Sequence, residues 1–314
     1  MKTADRYPVM PYVPDYEKRR GLILNLAPGE SKHVFTPKDM SNRLYEKFSQ
    51  FIYAECGIKL PPVKKVMLQS RLTKRLRVLR ILSFDEYYDY LTSSQGKEEE
   101  LFHALDMVST NKTEFFREPS HFDYLRTEAL PWLIHELDRK ARRRIHIWSA
   151  GCSSGEEPYT LAMVLSDFLE KFPGFDFDIL GTDISRRMLH HAQKAIYKDQ
   201  DIHPIAHRLR ATYLMKGKGP QKGNWRITSG LRNRVQFKRL NLVDEHFDLP
   251  HLMDIIFCRN VIIYFDRPTQ SRLFEKFHTC FVPGGFLFIG HSETLYGISN
   301  QFEYLQATIY RKPP

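Results

Sequence analysis

Two hydrophobic periodicities share this chain, and one gives way to the other between residues 106 and 120. From about residue 36 to 106, apolar side chains recur every three or four positions, the spacing of one helix face. Thr36-Pro37 followed by Asp39 predicts a helix start, with Phe48, Phe51 and Ile52 at helical spacing behind it. Over Val66–Leu79 the stripe is Leu68, Leu72, Leu76 and Leu79, which leaves basic side chains on the other faces. Ser83-x-x-Glu86 is a capping-box pattern and opens another helix. No strand pattern interrupts, so a small all-helical domain is expected over residues 36–110.

Beyond residue 120 the apolar positions gather into short runs at Ile145–Trp148, Asp178–Thr182, Val235–Phe237, Asp254–Cys258 and Phe286–Ile289. Helical patterns separate most of them, at Pro158–Phe168, Arg186–Ala195 and Thr269–Phe277. Strand alternating with helix predicts an α/β domain over residues 111–314 with a mostly parallel, doubly wound sheet. Ligands of such sheets bind beyond the C-terminal ends of the strands. One insertion breaks the alternation: residues 208–233, with Gly217-Lys-Gly-Pro220 and Gly223-Asn-Trp225, read as a hairpin-bearing excursion. Residues 1–35 carry Pro8, Pro11, Pro14 and Pro28 and read as an extended arm.

Composition narrows the class. The chain has 314 residues, 42% hydrophobic and 27% charged, as an ordinary globular protein does. No apolar run reaches the roughly 20 residues of a membrane span, and Ile255–Phe265 is interrupted by Arg259. Asp5 and the prolines stand where a signal peptide needs an apolar stretch, so a cytoplasmic protein without membrane insertion is expected. The four cysteines, Cys56, Cys152, Cys258 and Cys280, form no C-x-x-C pair, which argues against zinc and a disulfide framework; no metal site is expected. The formal charge of +10 favours an acidic partner: nucleic acid, a membrane surface or an acidic protein. Lys59 to Arg80 contains no acidic residue, yet holds Lys59, Lys64, Lys65, Arg71, Lys74, Arg75, Arg77 and Arg80.

The strongest chemical signal is Ile145-His-Ile-Trp-Ser-Ala-Gly-Cys-Ser-Ser-Gly-Glu-Glu-Pro-Tyr-Thr160, a strand running into a glycine loop and a helix. Gly151 and Gly155 let a ligand approach the backbone closely. Glu156 and Glu157 stand where a dinucleotide enzyme would seat pyrophosphate; there they repel phosphate and suit a ligand bearing ammonium and sulfonium groups. Acidic residues also favour helix N-termini through the dipole alone. Asp183 ends the second strand, placed either to accept from ribose hydroxyls or to cap the next helix, a task open to Ser185 as well. Arg259-Asn260 ends another buried strand, with Tyr264 about one turn later. Asn111-Lys-Thr-Glu-Phe-Phe-Arg117 is polar around two phenylalanines, and by itself reads as a linker with a packed aromatic pair.

Taken together, Asn111-Lys-Thr-Glu-Phe-Phe-Arg-Glu118, Trp148-Ser-Ala-Gly-Cys-Ser-Ser-Gly-Glu-Glu-Pro-Tyr159, Gly181-Thr-Asp183, Asn241-Leu242, Phe257-Cys-Arg-Asn-Val-Ile-Ile-Tyr-Phe265 and Gly290-His-Ser-Glu293 resemble the CheR family of chemotaxis receptor methyltransferases. The resemblance runs in order from about residue 36 to the C-terminus. It implies a Rossmann-like methyltransferase domain dependent on S-adenosylmethionine (SAM), with a small inserted antiparallel β-subdomain and a small all-helical domain in front. It implies that Asn111, Thr113, Arg117, Glu156, Glu157, Asp183, Asn241, Leu242, Arg259 and Asn260 line the cofactor site, with Glu157 preferred over Glu156 for the direct contact. Arg117 and Tyr264 would orient the reacting carboxylate. Lys64, Lys65, Arg71, Lys74, Arg75 and Arg77 would face the receptor, and Gly217, Gly219 and Gly223 would belong to the β-subdomain that docks a receptor C-terminal peptide in some members.

The implied reaction is transfer of a methyl group to glutamate side chains in the cytoplasmic helical domain of a chemoreceptor, releasing S-adenosylhomocysteine (SAH), by a monomer. A carboxylate with an ordinary pKa of about 4.3 is already ionised at neutral pH, so no general base is needed. Two rivals remain. A nucleic-acid methyltransferase would explain the positive charge, but Arg259-Asn260-Val-Ile-Ile-Tyr264 does not resemble the Asn-Pro-Pro-aromatic pattern of amine methylation, and nucleic acid is not the expected partner. A non-catalytic SAM-binding scaffold is the other.

Overall fold

The structure is a computed structural model that describes residues 37–314. The predicted arm at residues 1–35, and Thr36 with it, lies outside the described residues. The chain divides into two compact units. One holds Pro62–Val108 with the described residues up to Phe48, and the other holds Ser49–Pro61 and Ser109–Pro314.

The smaller unit is helical, and the division between the units falls inside its first helix. That helix, α1 (Asn42–Cys56), starts later than the Thr36-Pro37 signal predicts. Ser41 is the reason: its hydroxyl accepts from Leu44 N at 3.1 Å and its carbonyl from Tyr45 N at 3.0 Å, as an N-cap does. Next comes α2 (Lys65–Leu79), burying Leu68, Leu72 and Leu76 as the stripe predicts. Helices α3 (Phe84–Thr92), α4 (Ser94–Glu99) and α5 (Leu101–Val108) complete the unit. Ser83 caps α3 by accepting from Glu86 N, while Glu86 reaches back to Leu82 N at 3.3 Å. The core of this unit holds a buried charge. Glu100 is 1% exposed and receives Arg75 at 2.7 and 2.6 Å and the Tyr87 hydroxyl at 2.8 Å.

In the larger unit α6 (Pro119–Tyr124) and α7 (Leu130–Arg139), joined by a π turn over Leu125–Ala129, precede the sheet. Then follow β1 (Arg144–Ala150), α8 (Glu156–Leu169), β2 (Asp176–Asp183) and α9 (Arg186–Lys194). The inserted piece holds β3 (Ile196–Lys198), α10 (His207–Tyr213), β4 (Leu214–Lys216), β5 (Asn224–Ile227) and α11 (Ser229–Arg232). The chain returns through β6 (Val235–Arg239), β7 (Met253–Cys258), α12 (Arg267–Cys280), β8 (Phe281–Ile289), β9 (Glu303–Gln306) and β10 (Ile309–Arg311).

The main sheet has the order β6-β2-β1-β7-β8-β10-β9. Pairing is parallel from β6 to β8 and antiparallel through β10 and β9. The chain moves outward from β1 to β2 and later crosses back to β7, so the strand order reverses between β1 and β7. A crevice opens at such a reversal, beyond the strand ends. Every residue of β7 is buried, as a central parallel strand requires. Trp148 packs edge-on against Phe277 on one face, and Phe257 stacks on Phe288 at 4.3 Å on the other. Among the described residues no helix is long and apolar enough to cross a membrane.

Two features depart from the sequence reading. The inserted subdomain is a three-stranded antiparallel sheet, order β3-β5-β4, and it starts at Ile196 rather than near residue 208. Strand β3 has three residues, of which only Tyr197 is buried, too few for alternation to register. Helices α6 and α7 and strands β9 and β10 were not anticipated either; β9 buries no side chain fully and carries little apolar pattern, and β10 has only three residues.

Candidate functional site

The glycine loop sits at the C-terminal ends of β1 and β2 and is pinned from below. Gly151 N and Cys152 N both donate to Thr182 O at 2.8 Å. Gly151 is left-handed at φ 83°, and a Cβ there would lie 2.5 Å from Val261 Cγ2; Gly155, at φ 97°, would place one 2.8 Å from Ala192 Cβ and 2.9 Å from the Tyr197 hydroxyl. The loop therefore needs glycine for both conformation and space. Burial pushes the thiols of Cys152 and Cys258 well up, so neither is a nucleophilic thiolate.

Asp183 accepts Ser153 N and Ser185 N, each at 2.8 Å, one on each carboxylate oxygen. It thus ties the glycine loop to β2, while Ser185 takes the cap of α9 by accepting from Met188 N at 3.1 Å. The paired glutamates separate. Glu157 enters the crevice between β1 and β7, accepting the Ser149 hydroxyl at 2.6 Å and Arg259 Nε at 2.7 Å. Glu156 takes the Ser154 hydroxyl at 2.7 Å, and burial pushes its carboxyl up against that bond. On the far side of β2, Asn241 donates to Glu55 O at 2.8 Å, and buried Leu242 has its carbonyl held by Lys276 Nζ at 2.8 Å.

Arg259 is the hub. Its side chain is 2% exposed, and besides Glu157 it donates to Arg117 O at 2.6 Å and to His121 Nδ1 at 3.2 Å, with Glu118 Oε2 at 3.5 Å. The rings of Phe122 and Phe257 lie 5.1 and 5.3 Å from its guanidinium carbon. The guanidinium is a counterion inside the protein, its Nε and Nη1 directed at protein acceptors. Asn260 turns left-handed at φ 59°, and its N donates to Glu293 Oε2 at 3.0 Å. Glu293 also accepts Gly290 N at 2.6 Å and Ile263 N at 3.3 Å; burial pushes its carboxyl up despite these bonds.

The segment 111–118 is more than a linker. Phe116 N donates to Thr160 Oγ1 at 3.2 Å, and the Ser153 hydroxyl donates to Asn111 O at 3.1 Å, so it lies across the glycine loop and α8. The aromatic pair packs as expected, Phe115 edge-on to Tyr197 at 4.8 Å and Phe116 against Phe122 at 5.6 Å. Asn111, Thr113 and Arg117 are half-buried, and Arg117 Nη1 donates to Lys112 O at 3.0 Å. Tyr264 is half-buried in the turn after β7; its carbonyl accepts Lys59 N at 2.9 Å, and its hydroxyl meets no described partner.

Residues Glu118, His121, Ser149 and Glu293 belong to the same network and were not singled out. Glu118 and Glu293 stand in the recognised segments, which was the available signal; His121 carried none. Ligand atoms of Glu118, His121 and His291 lie within 4.8 Å of one another. The Arg259 guanidinium stands among them, so a metal ion would meet a permanent positive charge.

The basic residues proposed to face the receptor lie in the helical unit. Lys64, Lys74 and Arg77 are exposed, and Lys65 donates to Asn42. Arg71 donates to Met107 O and Val108 O at 3.0 Å, and Arg75 pairs with Glu100, so these two also hold the unit together. Gly217, Gly219 and Gly223 fall in the β4–β5 connection of the subdomain.

The profile of the CheR methyltransferase SAM-binding domain matches residues 111–311, and that of the CheR methyltransferase all-alpha domain matches residues 43–108. A chemotaxis protein methyltransferase of Borreliella burgdorferi is 40% identical over 276 residues, 88% of this chain and 94% of that protein. One of Escherichia coli is 36% identical over 272 residues, 86% of this chain and 91% of that protein. Among solved structures, magnesium protoporphyrin IX methyltransferase of Synechocystis with bound SAM is matched at 14% identity over 71% of this chain and 91% of that one, with a TM-score of 0.32.

Proposed function

The chain belongs to the CheR methyltransferase family and is a SAM-dependent methyltransferase; from that premise we propose that its acceptors are glutamate side chains of a chemoreceptor, which it converts to glutamyl methyl esters. The observation that carries the site assignment is the acidic crevice at the β1/β7 reversal. Glu157 and Asp183 are both buried there, and the nearby Arg259 is already committed to protein acceptors. Such a crevice repels phosphate and accepts a ligand with cationic and hydroxyl donors.

When bound, SAM supplies a methyl group on a positively charged sulfur. Asp183, whose oxygens hold Ser153 N and Ser185 N at the end of β2, would accept the ribose hydroxyls. Glu157 faces the cationic end; Asn111, Thr113, Asn241, Leu242 and Asn260 complete the enclosure. The acceptor carboxylate is ionised at neutral pH. The methyl group would pass to that carboxylate oxygen, the electron pair of the broken carbon–sulfur bond staying on sulfur. No proton moves. The protein's task is then alignment and exclusion of water. Arg117 is half-buried, its carbonyl held by Arg259 and its Nη1 by Lys112 O, and its guanidinium would grip the acceptor by a charge-assisted hydrogen bond. Tyr264 donates a second.

The partner is an acidic helical surface of the receptor, met in the cytoplasm by a monomer. Lys64, Lys74 and Arg77 on the helical unit support this, and so does a second basic tract. Residues 202–243 contain no Asp or Glu and ten Lys or Arg, among them Lys216, Lys218, Lys222 and Arg226 of the β-subdomain. A short acidic segment at the receptor C-terminus is its expected occupant.

Transfer of radiolabelled methyl groups to receptor-bearing membranes, with and without the receptor C-terminal tail, tests the assignment. Label released as methanol by base is expected; label stable to base would exclude a carboxyl ester. Calorimetry should find SAH binding, and preference for a dinucleotide would remove the site assignment.

A further inference from the structure

Arg117 is flanked by two residues in a conformation that L side chains avoid. Phe116 has φ 55° and Glu118 φ 57°, and non-glycine residues hold such angles only where the surroundings impose them. Glu118 also occupies the N-cap position of α6, where a short polar side chain (Ser, Thr, Asp or Asn) ordinarily accepts from the first turn of its own helix. It makes no such bond. Its carboxylate reaches away instead: Oε1 accepts His291 N at 3.1 Å and Asn260 Nδ2 at 3.3 Å, and Oε2 lies 3.5 Å from Arg259 Nη1. One half-buried carboxylate thereby joins the 111–118 segment to the turn after β7 and to the turn after β8. The same Arg259 nitrogen donates to Arg117 O at 2.6 Å. Burial by itself would push the Glu118 carboxyl up, but the His291 N–H, the Arg259 charge and the Asn260 amide hold it below the usual range, so it stays ionised.

We propose that Glu118 is a positioning residue for methyl transfer: it fixes the Arg117 backbone against the left-handed turn at Asn260, so that the guanidinium meeting the acceptor carboxylate and the cofactor-facing asparagine are held as one body. This rests on the role given above to Arg117. The reason for a carboxylate is physical. The acceptor arrives as an anion, and an acid left free beside Arg117 would compete for its guanidinium. Turning Glu118 toward Arg259 and the two turns removes that competitor and uses its charge to hold the loop.

The test is a double-mutant cycle in the full chain: unaltered protein, Glu118→Gln, Arg117→Ala and both together. Turnover and receptor KM are measured at saturating SAM, with SAH affinity by calorimetry. Gln keeps the shape and one acceptor but loses the charge. The expected loss in kcat for Glu118→Gln is roughly 10- to 100-fold, with receptor KM changed by less than about threefold. In the Arg117→Ala background the same substitution should cost less than about twofold, because the group it acts through is gone. Losses that multiply, or an unchanged kcat for Glu118→Gln, would overturn the proposal. If Glu118→Gln lowers the thermal midpoint, Glu118→Asp, which keeps the charge on a shorter stem, should show a smaller loss with the same dependence on Arg117; an Asp variant as slow as Gln in both backgrounds would count against it. Absence of transfer to receptor glutamates by the unaltered chain is a separate result: it would remove the acceptor assignment and the role of Arg117 together.

Discussion

His121 links the stability of the larger unit to pH, and the size of the effect follows from its surroundings. Its side chain is 1% exposed. Nδ1 faces Arg259 Nη1 at 3.2 Å, and a guanidinium nitrogen only donates, so Nδ1 must accept and the ring proton sits on Nε2. That proton points to Thr308 Oγ1 at 2.8 Å, whose own hydroxyl donates to Ala307 O at 2.6 Å. Burial first, then the Arg259 charge, push the imidazole from its ordinary 6.5 down to about 3; Glu118 opposes and His291 adds to the depression. The unfolded chain therefore takes up a proton near pH 6.5 while the folded chain does not, and stability falls as pH drops below that value. Between pH 7 and pH 5 the unfolded state gains about 2 kcal/mol from this residue. For a unit of this size that is about 4–8 °C in thermal midpoint. Carboxylates also titrate at the low end, so the measurement is a difference: midpoints of the unaltered protein and His121→Gln at several values between pH 7 and pH 5. The variant's curve should be flatter by the stated amount. Parallel curves would mean that His121 titrates alike folded and unfolded, and that the ring does not face Arg259 in solution.

Gly155→Ala should cost about 2–4 kcal/mol, since the new methyl would stand 2.8 Å from Ala192 Cβ on a left-handed backbone, and SAH affinity measured by calorimetry should fall with it. Arg75→Ala should lower stability of the helical unit by about 3–5 kcal/mol in thermal unfolding, because Glu100 would remain buried with only the Tyr87 hydroxyl. Lys74→Ala and Arg77→Ala, both exposed, should leave unfolding within about 0.5 kcal/mol of the parent. The same pair should slow methylation of receptor membranes at low ionic strength, an effect that disappears in high salt; a deficit unchanged by salt would point away from electrostatic encounter.

Local pattern carried much of the fold. The Leu68, Leu72 and Leu76 stripe, the Ser83 cap and the main parallel strands were legible because each depends on residues within a few positions of one another. The glycine loop and Asp183 were legible for the same reason. Elements with weak local signals were not: β3 is three residues long, and β9 sends only Leu305, half-buried, against the core. The start of α1 was misplaced because Pro37 and Asp39 resemble a cap, whereas Ser41 makes the bond.

What the chain alone determined is which residue types stand at the strand ends: two glycines that open a backbone, paired acids at a helix start, and an asparagine–tyrosine strand end. What only the tertiary structure decided is how those charges are shared. Arg259 meets Arg117 O, His121 and Glu157 across separations of 142, 138 and 102 residues, and the Glu118 carboxylate turns to Asn260 instead of its own helix. A side chain's partner depends on where sheet topology delivers other segments, and no periodicity records that. Burial then sets the energy of each pairing, since a charge removed from water must be matched by whatever the fold has brought beside it.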